Sequence, residues 1–210
     1  MKALILLLTM VVSNAAFAVD GKNAVDSMID VEHSRTWNRF AERVVALHRQ
    51  QIAGRKVRVE ERVGNYGGEM AKRYRFHEAS YYDDGSGRLL SRVRSDRDRP
   101  EDVQIAEVYV HDNNGRVQRD YAFIYLPWGR GAPVRTFVSL HDYRDGLHVY
   151  RQFDASGKPI HERCEGTFDG RRVEISVPEE RLGSQASTNA EYAQCFSGLP
   201  ATAGIYLSPQ

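Results

Sequence analysis

Apolar residues first run unbroken along this chain, then recur at helical spacing, then alternate with polar ones over most of the remaining length. The unbroken run is Ala3 to Val12, interrupted only by Thr9, with Met1-Lys2 before it and Ala15-Ala16-Phe17-Ala18 after it. A basic start, a short apolar centre and small terminal residues are the parts of a secretory leader, here cut after Ala18. The run is too short for a comfortable membrane span, which needs about 20 residues. Residues 19–33 carry little pattern, as a loose arm or a short helix would. Trp37, Phe40, Ala41, Val44 and Leu47 follow at helical spacing, with Ser34 as N-cap and Gly54 as the stop. Arg35, Arg39, Glu42, Arg43 and Arg49 fill much of the other face. This amphipathic helix either packs its stripe on a sheet or forms a lid over a cavity.

From Arg55 the period is two. Val57, Val59 and Val63 alternate with Arg58, Glu60 and Arg62, the pattern of a half-buried strand. Tyr66-Gly67-Gly68 turns the chain, and Met70, Tyr74 and Phe76 then alternate with Arg73, Arg75 and His77. Further strands are expected near 88–95, 103–111, 116–126, 134–143, 147–153, 159–166 and 172–177, separated by Gly-, Asp- and Asn-rich turns. Ser95 to Asp102 and Pro127 to Pro133 read as loops, and the tail from Arg181 has no clear pattern. The expected fold is mainly β (α+β): an N-terminal amphipathic helix packed on a curved antiparallel β-meander or open barrel. Residues 1–18 form the leader and residues 19–210 one domain.

Charge and cysteine content narrow the partners. The full chain has 29 basic and 28 acidic side chains, so loss of Lys2 with the leader leaves 28 of each and a net charge of zero. A balanced surface gives no general attraction to nucleic acid or to anionic lipid. No Cys follows the leader's apolar run, so no acylation site and no stable membrane anchor is expected. Cys164 and Cys195 make up the cysteine content, and in an oxidising compartment such a pair forms a disulfide. That bridge would tie the tail to a strand, in a periplasmic or secreted protein.

One turn recurs. Asp84-Gly85-Ser86-Gly87-Arg88-Leu89, Asp112-Asn113-Asn114-Gly115-Arg116-Val117 and Asp154-Ala155-Ser156-Gly157-Lys158-Pro159 share Asp-x-x-Gly-basic-apolar, and Phe168-Asp169-Gly170-Arg171 is a shortened relative. Asp bonds the following backbone, Gly takes positive φ, and the basic residue starts the return strand. The motif resembles the YD-type repeats of Rhs proteins. The resemblance covers only these turns, and the uneven spacing disfavours a regular solenoid. It carries no catalytic residues across.

The richest candidate site is the hairpin Leu140 to Tyr150, turning at Asp145-Gly146. In that register Tyr143 faces His148 and His141 faces Tyr150, so all four project from one side of the sheet. They could hold a ligand. The plainer account is an aromatic face with wet polar tips, since a metal site normally needs three or four convergent ligands. No metal and no cofactor is expected. His111-Asp112 belongs to a turn. Glu162, Glu165 and Asp169 read as exposed acids near Cys164, and Arg92, Arg94, Arg97 and Arg99 with Asp96 and Asp98 as a solvated stretch. No nucleophile elbow, zinc-protease helix, phosphate loop or dinucleotide fingerprint occurs.

These observations favour a non-enzymatic binding or carrier protein for an apolar ligand. The outline of leader, helix around Trp37–Leu47 and strand pair around Val57–Phe76 loosely resembles the periplasmic lipoprotein carriers of the LolA and LolB type, which implies an apolar concavity between helix and sheet. One alternative is a small hydrolase or metal-dependent enzyme using His141 and His148. Another is an envelope scaffold that presents its sheet edge to an envelope protein.

Overall fold

The computed structural model describes residues 31–67, 73–129, 131–183 and 190–209. The expected leader, residues 19–30 and Met70 lie outside them. Helix α1 spans Val31–Ile52. It is followed by β1 (Val57–Asn65), β2 (Arg75–Asp83), β3 (Leu89–Asp96), β4 (Val103–His111) and β5 (Val117–Ile124). Then come β6 (Arg135–Arg144), β7 (Leu147–Phe153), β8 (Pro159–Phe168), β9 (Arg171–Pro178) and a short helix α2 (Ala190–Phe196). The nine strands form one antiparallel sheet in sequence order, with β1 and β9 at its edges and no closure into a barrel.

Helix α1 begins at Val31, so Ser34 lies inside its first turn and does not cap it. It stops at Gly54, whose φ of +68° ends the helical backbone. Phe40, Ala41, Val44 and Leu47 are buried against Val108, Tyr121, Phe123 and Val138, so the centre of the helix lies on a filled core. Trp37 is only partly buried and rests on His33, ring centroids 4.2 Å apart.

Two expected strands differ. β2 begins at Arg75 and continues to Asp83, because it pairs with the full length of β1, from Val57↔Asp83 to Asn65↔Arg75. β1 is not half-buried: Val59 is 41% and Val63 57% exposed. Alternation defines two faces of a strand, but burial needs a covering layer. Helix α1 packs mainly on β3, β4, β5 and β6, and β1 lies beyond its main contacts.

The far half of the same face is covered by the tail. Phe196, Leu199 and Ala203 join the core over Leu147, Val149 and Phe153. A disulfide joins Cys164 on β8 to Cys195 on α2, with Cα atoms 6.0 Å apart. Arg144 donates to the carbonyls of Gln194 and Cys195, at 3.1 and 2.7 Å. Arg151 donates to those of Leu199 and Pro200, at 3.2 and 2.7 Å, and pairs with the buried carboxylate of Glu162. Tyr192 donates its hydroxyl to the same carboxylate. Glu162 is therefore a buried anchor of the tail, not an exposed strand acid.

The recurring turn takes two forms. The side chains of Asp112 and Asp154 accept from the backbone N–H two and four residues on. In the first copy that role passes to Asp83, which accepts from the N–H of Ser86, while Asp84 pairs with Lys56 at 2.6 Å. Asp145-Gly146 turns with φ of +50° and +78°, the two-residue hairpin geometry that needs left-handed backbone at both positions.

Candidate functional site

That tight turn sets the register of β6 and β7. Tyr143 stands opposite His148 and His141 opposite Tyr150, so the four side chains share the sheet face away from α1. Diagonal neighbours on this face link into a chain across four strands. Asp120 Oδ2 on β5 lies 2.6 Å from His141 Nε2. His141 Nδ1 lies 3.0 Å from His148 Nε2 on β7. His148 Nδ1 lies 3.5 Å from Glu165 on β8. Ser139 donates to the other oxygen of Asp120 at 3.1 Å, and Gln152 donates to Ser139.

The carboxylates constrain the protons. Asp120 calls for a proton on His141 Nε2 and Glu165 for one on His148 Nδ1, and His141 Nδ1 and His148 Nε2 share a single proton between them. Burial, then the neighbouring His141, holds His148 below its ordinary pKa. The rings stand parallel, Tyr143 against His148 at 4.5 Å and 4°, and Arg116 lies 4.8 Å from the Tyr143 ring. Ring faces are thus spent on one another. The chemistry available is transfer of a proton along the chain. Among the described residues no group of three or more metal-ligating side chains converges.

Neighbouring groups have structural partners. Tyr150 bonds His161 at 3.1 Å, and His161 bonds Ser176. Arg92 pairs with Glu107, and Arg94 with the buried Glu78. Burial pushes the Glu78 carboxyl up, but Arg62 and Arg94 outweigh it and hold it below the ordinary range. His111 is held low by burial, then by Arg88, and faces no catalytic partner. Asp169 turns the β8–β9 hairpin with φ of +51°.

A second feature lies at one end of α1. There the helix and the loops following β3 and β5 enclose a groove of about 440 Å³. Ala41, Val45, Val103, Phe123, Leu126 and Pro127 give it an apolar floor, and Glu42, Arg49, Glu101 and Asp102 stand on its rim. Tyr125 in its wall donates to Asn38 at 2.6 Å. Burial, then the charge of Glu42, pushes that hydroxyl up to about 12.

Sequence reasoning missed Asp120, and it expected an apolar concavity between helix and sheet without the loop residues that build this groove. The ten-residue connection from Tyr125 to Val134 hides the β5–β6 register that brings Asp120 beside His141. The groove draws on three separated segments, and only the apolar stripe of α1 hinted at it. No family model, no curated protein and no solved structure matches the chain.

Proposed function

We propose that this chain is a non-enzymatic binding protein, delivered to the periplasm or secreted, that holds a small ligand in the groove beside α1. The observation that carries this reading is the groove itself: about 440 Å³, apolar at its floor, with Glu42 and Glu101 against Arg49 on its rim and Asp102 paired to Arg99. That volume lies within the range of small-molecule sites, about 300–1,000 Å³. The charge pattern selects an apolar body with a cationic end, because an amine at the rim meets Glu42 and Glu101 while its hydrocarbon leaves water. The leader pattern and the Cys164–Cys195 bridge support the location. No described helix is long and apolar enough to cross a membrane.

The test is a titration with a cationic apolar fluorophore and its anionic counterpart. Saturable binding is expected for the cation, weakened about tenfold or more by Val45→Trp, which fills the floor. Glu42→Gln is expected to weaken the cation and leave the anion unchanged. Absence of saturable binding, or binding indifferent to Val45→Trp, would overturn the reading.

A further inference from the structure

The groove leaves one region of the sheet unused. β1 is an edge strand, and among the described residues nothing pairs with its outer side. It also carries Val59 and Val63, two of the exposed large apolar side chains. Natural edge strands are usually blunted by Pro, by bulges or by inward-pointing charge. β1 has no bulge against β2 and no Pro; its protection is charge, Arg58, Glu60 and Arg62 on one face and Glu61 between Val59 and Val63 on the other.

The backbone fixes which of its groups are free. Asp84 N–H donates to the Lys56 carbonyl, and Tyr66 N–H donates to the Tyr74 carbonyl. Even-numbered residues along β1 therefore turn their backbone groups toward β2, and odd-numbered ones turn theirs outward, since alternate residues of a strand face opposite neighbours. Val57, Val59, Glu61, Val63 and Asn65 present the free N–H and C=O groups.

We infer that β1 is a homodimer interface, pairing antiparallel with β1 of a second copy about a two-fold axis at Glu61. In this register every outward group finds an outward group. Val59 faces the partner's Val63, and Glu60 faces the partner's Arg62, each twice by symmetry. The side chains of Glu60 and Arg62 are more than half exposed, at 56% and 64%; within one copy Glu60 pairs with Arg58 and Arg62 with Glu78, and the cross-axis contacts extend these two pairs into a charge network. Sliding two residues one way sets Glu60 against the partner's Glu60, and two the other way sets Arg62 against the partner's Arg62. A one-residue slip is forbidden by the backbone parity. The run Val59-Glu60-Glu61-Arg62-Val63 is thus complementary to its own reverse, save at Glu61, which meets itself on the axis. Each Glu61 carries its own His77 at 3.6 Å. The full nine-residue strand takes part, joining two sheets into one continuous layer.

Sedimentation equilibrium of the purified protein is the test. A dimer is expected in the micromolar range, weakened at least tenfold by Val59→Lys, an exposed change that leaves folding intact. Glu60→Arg and Arg62→Glu are each expected to give folded monomers, checked by thermal melts, because each sets like charges face to face while Arg94 still pairs with Glu78 in the second. Mixed in equal amounts they should form a heterodimer. Glu61→Gln should tighten the dimer by removing the like-charge pair on the axis. A wild-type protein that stays monomeric at hundred-micromolar concentration overturns the inference, as does a dimer indifferent to Val59→Lys. A mixture of the two charge variants that remains monomeric overturns the register.

Discussion

The two ends of the sheet are finished in opposite ways. At the β7–β9 end the inner face is roofed by the tail, which is held by a disulfide, by two arginines that grip its carbonyls and by the buried Arg151–Glu162 pair. At the other end α1 reaches only as far as β2, where His48 meets Tyr81, and on β1 the valines stand in solvent. Both ends are built from the same alternating pattern. What differs is whether a later segment returns to cover it, so burial here is set by tertiary reach and not by the strand's own residues.

This contrast can be broken hardest at the roofed end. Arg151→Met leaves Glu162 buried without its cation and should cost about 3–5 kcal/mol, read by urea denaturation. Arg151→Met with Glu162→Leu should recover much of that loss, because the uncompensated charge is gone. Replacing both cysteines by Ser should cost roughly 3.7 kcal/mol, the closure entropy of a loop spanning 31 residues. An acidic pH should act next. His148 and His48 are both held low, chiefly by burial, so the unfolded chain binds protons first as pH falls below about 6.5. Their contribution is present above that value and lost below it. Thermal melts between about pH 7 and pH 5 should show a fall in midpoint that is smaller in His148→Gln. The smallest effect belongs to the bare end: Val63→Thr should change monomer stability by less than about 0.5 kcal/mol.

Strand positions and the β6–β7 register were legible because alternation and turn residues are local signals. Asp145-Gly146 alone placed Tyr143 opposite His148. The tail was not legible, because its order comes from Arg144, Arg151 and Cys164, which lie on distant strands, and not from any period of its own. One signal was present and could have been followed. Val149, Arg151 and Phe153 alternate with Tyr150 and Gln152 and so share the face opposite the tyrosines, which implies a buried arginine with a carboxylate partner. The groove left no comparable trace, since its walls meet only after folding.

The consecutive order of the strands also bears on how the molecule is made. Every ladder joins a strand to its immediate successor, so each can close over a short stretch of chain and the low contact order favours quick assembly. The sheet can zip hairpin by hairpin as the polypeptide lengthens. Cys195 meets Cys164 across a separation of 31 residues, after β8 is laid down and β9 has passed. Oxidation of that pair is thus a late event, and its rate reports when the growing sheet has caught its own end.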